Sequence, residues 1–249
     1  MNRISLILLL ACFFLQSPAQ NKIALVAGAQ SSNIIEKNNL PIWSYNGSMP
    51  DWDAIRKDYS PRISFHAGML AQIRLSEKSG LYFESGVIFY NKGRRFSFSK
   101  DTLALKKRIN LPDTLINTRY NFKQKQYISY IDLPLNLVYK LPFGKNVRLI
   151  VGGGLVFSFF FNGYDNKTHE VIQIGSRDDN NEDLPVGEGK GQYLTLHYGI
   201  NGSMGIEFKK AFLIADYSRA INSIYKSKFY DGGFYHQVIG VTIGLFLTR

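Results

Sequence analysis

The sequence predicts an all-β chain folded as an eight-stranded antiparallel transmembrane β-barrel of the outer-membrane type, with short periplasmic turns and long extracellular loops. Three observations predict it. Eight segments alternate apolar with polar residues, so each has one greasy and one wet face. The connections between them are alternately long and short, as expected when one rim faces the periplasm and the other faces outward. Aromatic residues gather near the ends of the segments, where a bilayer presents its two water interfaces. A soluble β-sandwich can produce alternation in single strands, but its loops show no long-short order.

Taken in order, residues 1–19 read as a signal peptide and residues 20–249 as the barrel domain. Asn2 and Arg3 give a polar, positive start, an apolar run follows, and Ser17-Pro18-Ala19 supplies small residues at the cleavage site. A lipoprotein signal ending at Cys12 is the rival reading, but Leu10 suits it poorly and the apolar run continues through Leu15. Cleavage after Ala19 discards the single cysteine of the chain, so no disulfide or thiolate chemistry is expected in the mature protein. No later stretch suits a transmembrane helix: the most apolar, 149–161, is shorter than the roughly 20 residues required and carries Gly152-Gly153-Gly154.

The eight expected strands are 22–30, 63–75, 81–93, 126–141, 147–162, 193–208, 211–221 and 234–248. In the second, Ile63, Phe65, Ala67, Met69, Ala71 and Ile73 share one parity, opposite His66, Gln72 and Arg74. In the fourth, Ile131, Leu133, Leu135, Leu137 and Tyr139 oppose Asp132, Asn136 and Lys140. In the last, Ile239, Val241, Ile243, Leu245 and Leu247 oppose His236, Gly240, Thr242 and Gly244. The connections 76–80, 142–146 and 209–210 are tight, whereas 31–62, 94–125, 163–192 and 222–233 are long. With the long loops outside, Phe65, Phe89, Tyr127, Phe159, Tyr217 and Tyr235 fall near the outer interface, and Tyr139 and Phe208 near the inner one.

Two positions call for local irregularity. Pro134 lies on the polar parity of the fourth strand and has no N–H to donate, so it should mark a bulge or a break in pairing. In the connection 94–125, Phe96 and Phe98 share a parity, as do Tyr120 and Phe122. The third and fourth strands are therefore expected to continue outward as a two-stranded ribbon with one aromatic face, changing register at Gly93.

With the barrel argued, the chain resembles the outer-membrane β-barrel domain family that includes PorT-type proteins, from residue 22 to the C-terminus. The segment Gln126-Tyr-Ile-Ser-Tyr-Ile-Asp-Leu-Pro-Leu-Asn-Leu-Val-Tyr-Lys140 is similar to the family's aromatic-Ile-acid-Leu-Pro-Leu strand, and the Gly-rich Val151-Gly-Gly-Gly-Leu155 follows a short turn. The C-terminus departs from the pattern by ending Phe246-Leu-Thr-Arg249 rather than on an aromatic. The resemblance implies a barrel processed by the barrel-assembly machinery. Its best-known member is similar to a component of a gliding-associated secretion pathway, so secretion-system or envelope proteins are the partners it implies.

Chemistry-bearing residues fall into two groups. Arg74, Glu84, Asp132, Arg148, His197 and Asp216, with Lys140 and Glu207, lie on the inward parity and are expected to form a charge network in the lumen. An eight-stranded barrel is only wide enough to be filled by side chains, so these groups either plug it or line a narrow ion path. An enzyme that modifies lipid would draw on His197 with Ser203 or Ser218 and Asp216, yet the chain has no serine-nucleophile motif, two-His metal spacing or phosphate loop. No cofactor or metal is expected, and the chain is read as non-enzymatic.

The second group is external. Arg94, Arg95, Lys106, Lys107 and Arg108 make the connection 94–125 basic, a surface for lipopolysaccharide phosphates, for an acidic protein, or simply for solvent. The acidic run 178–183 lacks the glycine spacing of a calcium loop and reads as solvated loop. The net charge of +11 does not point to nucleic acid in this compartment.

Overall fold

The structure, a computed structural model, describes residues 21–37, 59–75, 79–106, 114–226 and 233–247. The expected signal peptide lies outside the described residues, as do Lys107 and Arg108. Twelve strands are described: β1 (Asn21–Lys37), β2 (Tyr59–Arg74), β3 (Leu81–Lys92), β4 (Arg94–Lys106), β5 (Thr114–Pro142), β6 (Arg148–Val171), β7 (Ser176–Asp183), β8 (Gln192–Tyr193), β9 (Leu196–Glu207), β10 (Ala211–Ala220), β11 (Tyr225–Lys226) and β12 (Gly233–Phe246). No helix among the described residues is long and apolar enough to cross a membrane.

Eight strands close a ring in the order β1-β2-β3-β5-β6-β9-β10-β12, and β12 returns antiparallel to β1 through pairs such as Ala27↔Ile243. Closure removes the sheet edges that would otherwise expose unpaired backbone to lipid. The eight expected strands are these eight, and the tight turns fall between β2 and β3, β5 and β6, and β9 and β10.

The alternation sorts side chains as expected. Ile63, Phe65 and Met69 are 77, 57 and 48% exposed on the outer wall, whereas His66 and Gln72 on the opposite parity are buried. Ile239, Val241, Ile243 and Leu245 repeat the pattern on β12. A continuous apolar belt of this extent suits acyl chains rather than water. On β5, Tyr139 and Tyr127 stand twelve residues apart on this wall, which at ~3.3 Å per residue and a tilt of about 45° is roughly 28 Å, close to the height of an outer-membrane apolar band.

The inward face is more apolar than the sequence suggests. Val26, Leu70, Tyr82, Ile88, Val138, Ile150, Phe212 and Ile214 pack with Ala24 into one internal cluster, and Ile34, Ile128, Tyr130, Tyr193, Ala220, Ile224 and Phe234 into a second. The lumen is a packed core with polar layers set into it.

At Pro134 the β3–β5 ladder lapses between Ser85↔Leu135 and Ile88↔Asp132 without a change of register, while the β5–β6 ladder runs through Pro134↔Val156. The missing proline donor therefore faces β3. The bulge itself is elsewhere, where Ser129↔Asn162 gives way to Tyr130↔Phe160 and leaves Phe161 unpaired.

Two sequence expectations are corrected above the barrel. The ribbon is four strands wide instead of two: β4 pairs with the outer part of β5, which pairs with the outer part of β6, which pairs with β7. The acidic run 178–183 is accordingly part of an edge strand, not a loop, joined to β6 through the turn Ile172–Ile174 and Gly175. At Gly93, where φ is 143°, register is unchanged toward β5 but slips by one residue toward β2, from His66↔Tyr90 to Tyr59↔Phe96. Side chains fill that break: Gln30 donates to the Asn91 carbonyl at 3.0 Å, Arg62 to that of Lys92 at 2.9 Å and Ser32 to that of Gly93 at 2.9 Å.

Candidate functional site: the filled lumen and the outer sheet

Because inward side chains from eight strands converge, residues far apart in sequence meet in three polar layers. In the layer nearest the termini, Glu207 is the hub. It accepts from Lys22 at 2.8 Å and from Lys140, and lies 3.6 Å from Arg148, whose own side chain is half exposed at the mouth. Lys140 also donates to Gln72, whose amide donates to Glu84 at 2.7 Å, and Asn136 donates to the other Glu84 oxygen at 3.2 Å. Each buried charge thus has an opposite charge or a polar partner, as burial in low dielectric demands.

The middle layer holds the Lys92–Asp132 ion pair at 2.7 Å, with Ser158 3.3 Å from the same ammonium. Beside it runs a chain of contacts in which His66 meets Gln30 at 3.1 Å and Thr242 at 2.8 Å, and Thr242 donates to Asp216 at 2.9 Å. The His66 imidazole lies against Gly28, where a Cβ would fall 2.5 Å from Nε2. The outermost layer is aromatic: the Tyr130 hydroxyl meets His236 Nε2 at 3.2 Å, and the His197 ring stands edge-on to Tyr130 with centroids 4.6 Å apart.

Five of the six lumen residues named from the sequence, Glu84, Asp132, Arg148, His197 and Asp216, thus occupy these layers, and Arg74 lies half buried at the periplasmic end of β2. No hydrogen bond or ion pair described joins the Glu207–Glu84 layer to the middle one, whereas the middle and outermost layers touch where the Lys92 ammonium stands 5.0 Å from the Tyr130 ring centroid. The counter-ion of Asp132, Lys92, was missed, as was Lys22, although each sits on the inward parity of its strand; His236, placed on the polar parity of the last strand, does face the lumen. The His197, Ser203 and Asp216 combination is not assembled for proton transfer: Ser203 faces Asp216 across β9 and β10, whereas His197 lies six residues further along β9, roughly 20 Å away.

The outer sheet has two unlike faces. Its inner face carries the expected aromatic cluster, with Phe96–Phe122 centroids at 5.7 Å, Phe98–Tyr120 at 5.8 Å and Phe122–His169 at 4.8 Å. Tyr120 meets His169 Nδ1 at 2.6 Å, and burial raises the Tyr120 hydroxyl above its ordinary value. Arg94 also points to this side, paired with Glu36 at 2.6 Å and stacked 3.9 Å from the Tyr59 ring centroid. It is therefore not part of an open basic surface, a correction that follows from its parity. Arg95 on the other parity is exposed; Lys106 ends β4, where only the backbone is described.

The outer face is polar. Across β5, β6 and β7 a shallow cavity of about 430 Å³ is lined by Asn121, Lys123, Lys125, Asn166, Thr168, Glu170, Arg177 and Asp179. Thr168 donates to Asp179 at 2.7 Å and Arg177 at 2.9 Å, and these contacts hold the Asp179 carboxyl below its ordinary range. On the inner face, burial pushes the Asp165 carboxyl up, against the lowering effect of Gln124 and Lys167.

No curated protein matches the chain. Among solved structures, it is similar to Ail, the attachment invasion locus protein of Yersinia pestis, at 12% identity and a TM-score of 0.31, covering 92% of this chain and 99% of that one. Neisserial surface protein A matches at 9% identity and a TM-score of 0.37 over 92% and 99% of the two chains. The translocator domain of the autotransporter NalP from Neisseria meningitidis matches at 10% identity and a TM-score of 0.26 over 98% and 94%. The profile of the outer membrane protein beta-barrel domain matches residues 23–226, from the first strand of the ring through β11. With that match and a closed ring of eight antiparallel strands, the chain belongs to the outer membrane protein beta-barrel domain family.

Proposed function

We propose that this outer-membrane barrel is a non-enzymatic accessory protein, PorT-like in role, that serves protein secretion or envelope maintenance through its outer sheet. The observation that carries the reading is the contrast between a lumen filled by three polar layers and two apolar clusters, and a four-stranded sheet built outside it. A filled barrel has little room for cargo, whereas a sheet with one aromatic and one charged face offers area to a partner. Aromatic residues at the centre of a patch with charge around them are what protein recognition surfaces favour.

The test is a strain lacking the gene, complemented either with the wild type or with Phe98→Ser/Phe122→Ser. Loss of a defined exported set, or of envelope integrity, restored by the wild type and not by the variant, supports the reading. An unchanged secreted profile and an intact envelope in the deletion strain defeat it.

A narrow pore is the second reading, favoured by buried lumen atoms without a hydrogen-bond partner among the described residues: Asp132 Oδ1, Asn136 Oδ1 and His197 Nδ1. Such atoms are the usual partners of internal water. Discrete conductance steps from the purified protein in a planar bilayer would favour this reading over the first.

A further inference from the structure

The outer wall of β5 leads from lipid into headgroup. Its outward parity runs Tyr139, Leu137, Leu135, Leu133, Ile131 through the membrane, passes Ser129, buried at the bulge, reaches Tyr127, and goes on to Lys125 and Lys123. Tyr127 stacks on Tyr164 of β6, centroids 4.7 Å apart and planes at 14°. Arg62 lies across Gly93, which has no side chain to block it, and places its guanidinium 4.0 Å from the Tyr127 ring centroid. Lys125 and Lys123 sit two and four residues beyond that stack. At ~3.3 Å per residue and a tilt of about 45° this is roughly 5 and 9 Å further out, the depth of the headgroup layer above the hydrocarbon.

Charge at this depth is unbalanced. Arg95, whose Nε donates to the Pro61 carbonyl at 3.2 Å, stands directly opposite Lys125 across β4 and β5, a like-charge pair that an anion between them would relieve. Lys123 and Lys125 have no hydrogen-bond or ion-pair partner among the described residues, while the other charged groups lining the cavity are engaged, Arg177 with Asp179 and Glu170 with Asn121. Asn166 and Thr168 add polar groups beside the two ammoniums.

We propose that this patch binds the phosphorylated sugar headgroup of an outer-leaflet glycolipid, with Arg62, Arg95, Lys123 and Lys125 taking phosphate oxygens and the Tyr127–Tyr164 stack lying at the boundary between sugar and acyl chain. The position on the lipid-facing wall, directly above an aromatic belt, selects a membrane-anchored anion over a soluble one. The site does not depend on whether the sheet receives a protein partner.

The test uses the full mature chain, delipidated in nonionic micelles, with native mass spectrometry counting bound ligand. Diphosphoryl lipid A, enzymatically dephosphorylated lipid A and inorganic phosphate are the three probes. The expected result is that diphosphoryl lipid A binds, that Lys123→Gln/Lys125→Gln weakens it at least tenfold, and that Lys209→Gln/Lys210→Gln in a periplasmic turn leaves it unchanged. Equal binding by the dephosphorylated lipid overturns the phosphate assignment, and capture of inorganic phosphate as tightly as the lipid overturns the membrane source. Equal binding by the Lys123/Lys125 double variant overturns the site. The dephosphorylated arm needs only the wild type, so the proposal stays testable if a variant fails to fold.

Discussion

Glu207 holds two buried or half-buried ammoniums at the periplasmic mouth, Lys140 and Lys22, and replacing it leaves both without their anion. Removing one partner from a buried ion pair is costly because the other charge stays desolvated. Glu207→Ala is therefore expected to lower stability by about 3 kcal/mol, read as a shift of the urea midpoint of the folded chain in lipid vesicles, while Lys209→Ala in the adjoining turn moves it little. Outside the membrane, Asp179 gives a pH signature. Its folded-state carboxyl is held below the unfolded value by Thr168 and then Arg177, so its contribution to the outer hairpin is present above the unfolded carboxylate range and lost as pH falls through the folded value. Thr168→Val should move the Asp179 titration upward in an NMR pH series; an unmoved titration would show that the Thr168 hydroxyl has no part in it. Inward residues were legible in the sequence because parity alone assigns a face. Their partners were not: Lys22 meets Glu207 from the first strand of the ring to the sixth, and Lys92 meets Asp132 diagonally on the paired strand, four residues from its own register partner Ile128, so partnership depends on register and barrel closure rather than on local pattern.

At the scale of the elements, strands inside the membrane were legible nearly to their ends, because lipid on one side enforces strict alternation over the bilayer's height. The outward extensions of β5 and β6 were not, since a sheet wetted on both faces carries no such constraint. Phe96, Phe98, Tyr120 and Phe122 marked the ribbon through their shared parities, but β7 is built from Ser, Arg, Asp, Asn and Glu, residues with weak strand preference, and forms through cross-strand contacts such as Lys167–Glu182 at 2.5 Å. Gly93 is the joint between the two regimes. Its φ of 143° and the approach of the Gln126 carbonyl, 2.0 Å from where a Cβ would stand, both exclude a side chain. Gly93→Ala is expected to cost about 1–3 kcal/mol by vesicle urea unfolding. Gly144→Ala in a periplasmic turn, where φ is 99° with open space around it, should cost less, since it meets backbone strain without a steric clash.

For the whole molecule, the three polar layers stand in series along one axis, and that order decides how the barrel responds to substitution. Flow through a series is limited by whichever obstruction remains, so clearing one layer leaves the others in place. Glu84→Ala loosens only the layer held by Gln72, Asn136 and Lys140, and Asp132→Ala frees Lys92, whose ammonium stands 5.0 Å from the Tyr130 ring centroid, but leaves the Tyr130, His197 and His236 rings themselves in place. The apolar clusters around Tyr82 and Phe212, and around Tyr130 and Phe234, add dry segments that neither change touches. In planar bilayers the wild type and each single variant are therefore expected to be silent, with conductance arising only when Glu84→Ala, Asp132→Ala and Tyr130→Ala are combined with Phe212→Ala, which opens the cluster around Tyr82 and Phe212. Steps from Asp132→Ala alone would locate the obstruction in the middle layer and make Lys92–Asp132 a gate, and ohmic steps from the wild type would mean that water already threads all three.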